Sequence, residues 1–132
     1  MKKIALITGA TSGIGEACAR RFADGGYDLI ITGRRAEKLA AIKEDIETQG
    51  TKVKTLTFDV RDADAAEAAI NSLEPEWRNV DVMINNAGLA LGLDKEFEGD
   101  PVDWNTMIDT NIKGLLTMTR LIVPGMVKRN EG

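Results

Sequence analysis

The sequence of 132 residues contains no histidine and only one cysteine. The absence of histidine excludes histidine-based catalytic triads, a histidine general base and most zinc sites. The single cysteine, Cys18, cannot form an internal disulfide. We expect Cys18 to pack in the core of a protein that resides in the reducing cytoplasm.

Long apolar runs and an excess of positive charge are also absent. No run approaches the roughly 20 apolar residues of a transmembrane helix. The basic start, residues 1–3, precedes an apolar segment that ends at Thr8 in a glycine turn, which argues against a signal peptide. The net charge of −4 argues against a general nucleic-acid binder. We therefore expect one globular domain, residues 1–132, without a membrane or nucleic-acid partner.

Strand and helix signals alternate along the whole chain. Four short apolar runs predict strands at residues 4–7, 27–32, 53–58 and 80–84. Strands that are joined by helices run parallel, with right-handed crossovers. The sequence therefore predicts an α/β fold with a doubly wound parallel sheet (Rossmann fold), of which this is the N-terminal half with about four strands in the order 3-2-1-4.

Two helices carry apolar stripes that predict their buried faces. The stripe of the first helix consists of Ile14, Ala17, Cys18 and Phe22. A last long helix is predicted over residues 104–126, with a kink expected at Pro124. Its apolar stripe consists of Trp104, Ile108, Ile112, Leu115, Thr119, Ile122 and Met126.

Three glycines follow the first strand with the spacing G-x-x-x-G-x-G, at Gly9, Gly13 and Gly15. A strand, a glycine turn and a helix together present backbone N–H groups to an anion such as a pyrophosphate. A turn with no ligand is the alternative interpretation. Polar or glycine residues also follow the other strands, at 33–35, 59–60 and 85–88. Because ligands of such sheets lie beyond the strand C-termini, we expect these residues to share one cleft.

The motifs TGATSGIG at residues 8–15, Asp59-Val60, NNAG at residues 85–88 and Asn111 together resemble the short-chain dehydrogenase/reductase family. The resemblance covers essentially the whole chain. Segments 33–35, 86–92 and 104–108 resemble the branch that oxidises 3-hydroxy acids, including serine and allo-threonine. The resemblance implies an oxidoreductase that transfers hydride between NADP(H) and a hydroxyl or carbonyl group of a small-molecule substrate.

The resemblance also implies which residues contact the cofactor. The residues expected at the pyrophosphate and nearby ribose are Gly9, Thr11, Ser12, Gly13, Ile14 and Gly15. Asp59 and Val60 are expected to flank the adenine. The residues expected under the ribose and nicotinamide are Asn86, Ala87 and Gly88. Two alternatives stay open: Asn86 as a turn residue at a strand end, and Asp59 as a loop acid that caps a backbone N–H.

The residues after the second strand indicate the type of cofactor. NAD sites place an acid there to bind the ribose 2′-hydroxyl. This sequence has Arg34 and Arg35 instead, and guanidinium groups form short, charge-assisted bonds to a 2′-phosphate. We therefore predict NADP as the cofactor. The alternative is two solvated charges at the start of a helix, where cations oppose the helix dipole.

The resemblance implies a catalytic tyrosine, a lysine four residues later and a serine, with Asn111 supporting a water relay by bending its helix. A tyrosine with the ordinary pKa of about 10 is a poor base at neutral pH, hence the lysine. The one tyrosine is Tyr27, with Ile31 four residues later, so we expect Tyr27 to be a packing residue. We predict that residues 1–132 are truncated before the catalytic Ser/Tyr/Lys region and are inactive alone.

A second hypothesis is a catalytically inert fragment that binds nucleotide or associates with itself. The fourth strand would have an unpaired edge, and the last helix a partly uncovered apolar face. We therefore expect a homo-oligomer, with a two-fold dimer as the simplest form. Residues 89–93 are expected to line part of the substrate pocket.

Overall fold

The computed structural model describes residues 2–11 and 13–132. Its strands and α-helices are β1 (Ile4–Ile7), α1 (Gly13–Asp24), β2 (Asp28–Gly33), α2 (Ala36–Glu47), β3 (Val53–Thr57), α3 (Ala63–Asn71), β4 (Val82–Ile84), α4 (Pro101–Ile108) and α5 (Leu115–Arg129). Single 3₁₀ turns lie at Pro75–Trp77 and Glu96–Glu98. A π-helical segment, Asp109–Gly114, joins α4 to α5.

The four strands form one parallel sheet in the order β3-β2-β1-β4, which confirms the predicted fold class and strand order. Helices cover both faces, so the core has two layers. Ile7 and Ile31 pack on the layer beneath α1 and α2. Leu6 and Ile30 pack on the layer beneath α3 and α5. All four side chains have no exposed surface, because β1 and β2 are covered on both faces.

Four predicted strand bounds were wrong by one or two residues, and one of them is the end of β2, which lies at Gly33 rather than at Thr32. β2 begins at Asp28, because Tyr27 packs its ring edge-on against Phe22, with 5.0 Å between the ring centroids. β3 ends at Thr57, one residue before its predicted end. β4 begins at Val82, and the preceding Asp81 binds the Ile4 N–H through its carboxylate at 2.8 Å.

The predicted apolar stripe of α1 was wrong in part: Cys18 and Phe22 pack against the core, whereas Ile14 and Ala17 are exposed. The buried residues are Gly15, Ala19 and Ala23, whereas Ile14 is 75% exposed. Glycine and alanine let the helix backbone lie close to the sheet, and that proximity decides which face is buried. Cys18, half-buried at the edge of this layer, packs against the core as expected.

The last predicted helix is divided into α4, the π-helical segment and α5. α5 continues through Pro124, and the change in hydrogen-bonding pattern lies upstream, between Asp109 and Gly114. A Cβ on Gly114 would lie 2.8 Å from Val60 Cγ2, so this position accepts the loop after β3 at close range. The π-helical segment therefore places the backbone of Gly114, which has no side chain, against Val60 in the loop after β3.

The buried face of this helical region agrees with the predicted stripe only near its C-terminal end, where Ile122 is buried. Residues spaced by four are buried: Thr110, Gly114, Met118 and Ile122. The N-terminal part of the predicted stripe lies outside, and Trp104, Ile108 and Ile112 are 42%, 45% and 55% exposed. None of the helices formed by residues 2–11 and 13–132 has the length and apolar character to cross a membrane.

Candidate functional site

A cleft of about 450 Å³ lies beyond the C-terminal ends of the strands. Its volume falls in the range of small-molecule sites. It is lined by Gly9, Thr11, Gly13, Ile14, Thr32, Gly33, Arg34, Arg35, Phe58, Asp59, Val60, Asn86, Ala87, Gly88, Leu89 and Thr110. Residues that follow all four strands therefore meet at one place, as the sequence predicts.

One predicted site residue, Ser12, lies outside the described residues. Two others are not in this lining. Gly15 lies beneath the loop that follows β1, and Asn111 lies behind Leu89. The remaining predicted residues all line the cleft.

Glycine is required for different structural reasons at the three positions of the first loop. Gly9 and Gly13 have φ angles of +64° and +56°, in the left-handed region that favours glycine. A Cβ on Gly15 would lie 2.1 Å from the Gly9 carbonyl oxygen, so α1 can approach the loop only with glycine there. A Cβ on Gly13 would meet nothing within 4 Å among the described atoms. Backbone N–H groups in the first turn of a helix have no partner within the helix, so an anion can be bound beside Gly13.

Thr8 and Asn86 join this loop to the end of β4. The buried Thr8 hydroxyl accepts the N–H groups of Asn86 and Ala87 at 3.0 and 2.9 Å. The Asn86 side-chain amide donates to the carbonyl oxygens of Thr8 and Gly9 at 3.2 and 3.0 Å. Asn86 therefore stabilises a strand-end turn in addition to lining the cleft. Sequence reasoning missed the role of Thr8, for which a hydroxyl directly after an apolar strand was the available signal.

Arg34 and Arg35 lie at the second strand end, both exposed. Arg35 Nη2 donates to Thr11 Oγ1 at 2.9 Å, which links the arginine pair to the glycine loop. A Cβ on Gly33 would lie 2.7 Å from Thr11 Cγ2, so glycine at 33 leaves room for Thr11. Two guanidinium groups directly before α2 oppose its dipole and favour a bound anion at this end of the cleft.

Asp59 is held by Arg61, a residue that sequence reasoning missed. Arg61 Nε donates to Asp59 Oδ1 and Oδ2 at 3.2 and 3.0 Å, and Arg61 Nη2 donates to Oδ2 at 2.7 Å. The Arg61 backbone N–H also donates to Oδ1 at 2.9 Å, so Asp59 does cap a backbone N–H. These hydrogen bonds from Arg61 lower the pKa of Asp59 against the opposing effect of its partial burial, and Arg34 adds a smaller electrostatic contribution. The spacing Asp-x-Arg was the signal available for this pair.

Asn111 lies in the π-helical segment and binds the backbone of Leu89. Asn111 Oδ1 accepts the Leu89 N–H, and Asn111 Nδ2 donates to the Leu89 carbonyl oxygen, both at 2.8 Å. A Cβ on Gly88 would lie 3.1 Å from Asn111 Oδ1, so glycine allows this approach. Asn111 therefore positions the loop at the open end of the cleft. Its role in a water relay stays a prediction.

The comparisons with known proteins agree with this geometry. The family model of the short chain dehydrogenases matches residues 3–132. Over 129 residues the chain is 52% identical to the NADP-dependent 3-hydroxy acid dehydrogenase YdfG of Salmonella typhi, covering 98% of this chain and 51% of that protein. Over 132 residues it is 48% identical to sulfoacetaldehyde reductase 2 of Chromohalobacter salexigens, covering 100% of this chain and 52% of that protein.

Among solved structures, the chain resembles the closed form of a serine dehydrogenase complexed with NADP+. The TM-score is 0.92 at 47% identity, over 98% of this chain and 51% of that chain. The chain thus spans about half the length of the curated relatives it matches. With a family model that matches nearly all of its residues, the chain belongs to the short chain dehydrogenase family.

Proposed function

We propose that this chain is the NADP-binding part of an oxidoreductase that transfers hydride between NADP(H) and a hydroxyl or carbonyl group of a small substrate. The observation that carries the proposal is that the guanidinium groups of Arg34 and Arg35 share one cleft with the glycine loop. A pyrophosphate and a 2′-phosphate are both anions, and this cleft offers helix N–H groups and two arginines to bind them.

Each part of the cofactor is assigned to a different group of residues along the cleft. We place the pyrophosphate at the loop of residues 9–15 and the 2′-phosphate at Arg34 and Arg35. The adenine lies against Asp59 and Val60, and the ribose and nicotinamide lie over residues 86–88. The fit is supported by the open space beside Gly13, where an added Cβ would meet nothing within 4 Å among the described atoms. When bound, the cofactor supplies or accepts the hydride.

Among the described residues, the substrate end of the cleft has no acid or base suited to the reaction. Tyr27 packs on Phe22 beside the start of β2, at the opposite end of the strands from the cleft. Among the described residues that line the cleft, none is a tyrosine or a lysine. We therefore propose that these residues bind and orient, and that the group that moves the proton belongs to a region outside residues 1–132. A 3-hydroxy acid is the proposed substrate class, supported by the name of the Salmonella typhi relative.

Titration calorimetry tests cofactor binding directly. We expect NADPH to bind the folded chain in a 1:1 complex and NADH to bind at least about tenfold more weakly. One charge-assisted contact to the 2′-phosphate contributes about 1.5–3 kcal/mol, and the lower value corresponds to about a tenfold difference in affinity. As a control, 2′,5′-ADP should retain the preference over 5′-AMP, since both lack the nicotinamide. A sample with native circular dichroism that releases no heat with saturating NADPH would contradict the proposal. No turnover of 3-hydroxy acids is expected from this chain alone.

We also propose that the chain forms a two-fold homodimer, in a cytoplasmic location. The cytoplasmic location is supported by the single cysteine of the sequence.

Self-association is supported by an exposed apolar face that runs from α4 to α5. Its members are Trp104, Ile108, Ile112, Leu115 and Leu116, each more than a third exposed. Monomeric proteins rarely expose apolar patches of several hundred Å². An inert, self-associating fragment remains the second candidate function, and calorimetry with NADPH separates the two.

The dimer makes its own prediction. Ile112→Glu places a charge at the centre of the exposed apolar face and is expected to weaken dimerisation at least about tenfold, because burying an unpaired carboxylate is unfavourable. Analytical ultracentrifugation over a concentration series gives the dissociation constant. Ala41→Glu adds the same single negative charge at an exposed position on α2, on the other side of the sheet, and is the matched control. A native chain that stays monomeric at high concentration would contradict the proposal.

A further inference from the structure

A second cavity, of about 350 Å³, lies at the edge of the sheet opposite the cleft with the arginine pair. Ile4 and Asp28 are the first residues of β1 and β2, and Lys52 directly precedes β3. All three line this cavity, which therefore opens at the amino ends of the parallel strands. No described residue lines both the cavity and the cleft, so the proposed cofactor contacts leave this second site unassigned.

The floor of the cavity is apolar. Ile4 is 5% exposed and Trp77 is 9% exposed, and both belong to the core layer beneath α3 and α5. Trp77 ends the 3₁₀ turn Pro75–Trp77, which brings the indole beside the start of β1. A ligand in this cavity can therefore bury an apolar group against the isoleucine and the indole.

Polar contacts fix one wall of the cavity. Asp28, whose side chain is 16% exposed, accepts the Lys52 backbone N–H at 2.9 Å. Lys2 Nζ donates to the Gly50 carbonyl oxygen at 3.2 Å and lies 4.0 Å from Asp28 Oδ1. The charges of Lys2 and Asp28 are thus directed to each other and to the backbone, within the wall itself.

Two further charged side chains line the cavity, those of Lys52 and Glu76, and both residues are exposed. Among the described residues, neither forms an ion pair within 4.0 Å, with the other or with a third residue. Lys54 and Glu74, each two residues away along the chain, pair with each other at 2.8 Å. The cavity therefore offers one ammonium group and one carboxylate, on either side of an apolar floor, to a ligand.

We propose that this cavity binds a free α-amino acid with an apolar side chain. The ligand's carboxylate pairs with Lys52, its ammonium group pairs with Glu76, and its side chain packs on the apolar floor. Because Lys52 and Glu76 do not pair directly, a ligand that carries both charges on one carbon atom bridges them. An anion or a cation of the same size pairs with one of the two residues and is repelled by the other. The site does not depend on the proposed function.

Four ligands test each part of this assignment by titration calorimetry on the folded chain. L-Phenylalanine is expected to bind at least about fivefold more tightly than phenethylamine, which lacks the carboxylate, or 3-phenylpropionate, which lacks the ammonium group. Glycine, which lacks the apolar side chain, is expected to bind at least about tenfold more weakly. Trp77 reports the location, since Trp104→Phe leaves it as the single tryptophan of the sequence. Its emission should change with the same midpoint as the heat.

Two variants separate the roles of the charged side chains. Lys52→Met should reduce the affinity for L-phenylalanine to that of phenethylamine, and Glu76→Gln should reduce it to that of 3-phenylpropionate. Both positions are exposed, so the variants are expected to fold. Lys3→Met removes a positive charge at an exposed position outside the lining and should leave all affinities unchanged.

The outcomes that overturn this site are distinct from those that concern the cofactor. No saturable binding of L-phenylalanine up to its solubility limit, equal affinities for the three phenyl ligands, or unchanged selectivity in both variants would each refute the site. Binding without a change in Trp77 emission would place the ligand elsewhere and refute it as well. NADPH titrated into the same samples is the independent measurement, because its binding tests the proposed function alone.

Discussion

Replacing Arg34 and Arg35 together with alanine is expected to weaken NADP binding by roughly 100-fold and NAD binding by less than about fivefold. Each guanidinium can form charge-assisted bonds to the 2′-phosphate, and a hydrogen bond with a charged partner contributes about 1.5–3 kcal/mol. Two such contacts at the lower value together change the dissociation constant by about two orders of magnitude. NAD has no 2′-phosphate, so it loses only the general attraction of two positive charges. Calorimetric titration with both dinucleotides measures the difference.

A variant with a smaller expected effect on NADP affinity is available at Thr11, which accepts a hydrogen bond from Arg35. Thr11→Val removes the hydroxyl that accepts from Arg35 Nη2 while keeping the volume of the side chain. Its effect on NADP should be smaller than that of losing the guanidinium, since the charge remains. Arg21→Ala is the control for net charge, because Arg21 is exposed near the end of α1. Equal losses for NADP and NAD in the double arginine variant would contradict a 2′-phosphate site.

The features that could be predicted from the sequence are those whose signals lie within a few consecutive residues. Strand order and the location of the cleft were predictable because a strand, a glycine turn and a helix occupy consecutive residues around Gly9 and Gly13. The arginine pair was equally visible, since charge at the second strand end is a property of two adjacent residues. In each case the relevant physics lies within a few positions of the chain.

The wrong predictions concern tertiary contacts. A hydrophobic stripe on α1 predicted Ile14 as buried, whereas close packing selected the smaller Gly15 and left Ile14 largely exposed. The same effect at Gly114, against Val60, left the N-terminal part of the predicted stripe of the last helical region exposed, although Ile122 is buried as predicted. Apolar periodicity assumes that large side chains fill the interface. Where the helix backbone lies so close to its neighbour that a Cβ would clash, the buried face carries the smallest residues instead.

The supporting contacts of the site escaped prediction for a related reason. Thr8 and Asn86 are 78 residues apart along the chain, yet the Thr8 hydroxyl accepts the Asn86 N–H. Asn111 and Leu89 are separated by 22 residues. No spacing rule connects such pairs, because their proximity is created by the strand order. These bonds nevertheless hold the loops in place, so they bear on affinity as directly as the lining residues.

Gly15→Ala is expected to have the largest effect on stability and to weaken nucleotide binding as well. The new Cβ would lie 2.1 Å from the Gly9 carbonyl oxygen and 2.5 Å from Asn86 Nδ2. Neither backbone nor a hydrogen-bonded amide can move aside without displacing the loop, so α1 must shift away from the sheet. Overpacking of this kind costs about 1–3 kcal/mol or more, which corresponds to a fall in Tm of roughly 5–10 °C for a domain of this size. Thermal unfolding followed by circular dichroism measures the change.

The binding effect of Gly15→Ala follows from the same displacement. Since Asn86 Nδ2 donates to the Gly9 carbonyl oxygen at 3.0 Å, a side chain at residue 15 also breaks the link between the loops after β1 and β4. Affinity for NADPH should fall at least about tenfold at a temperature where the variant is still folded. Gly125→Ala is the matched control, because it lies within α5 and, among the described atoms, its Cβ would meet only the Arg129 guanidinium within 4 Å, at 3.1 Å. That variant should keep the native affinity, since α5 lies outside the cleft lining. Native Tm and native NADPH affinity in Gly15→Ala would show that the first loop does not require the close approach of α1, and the account of the glycine spacing would then be wrong.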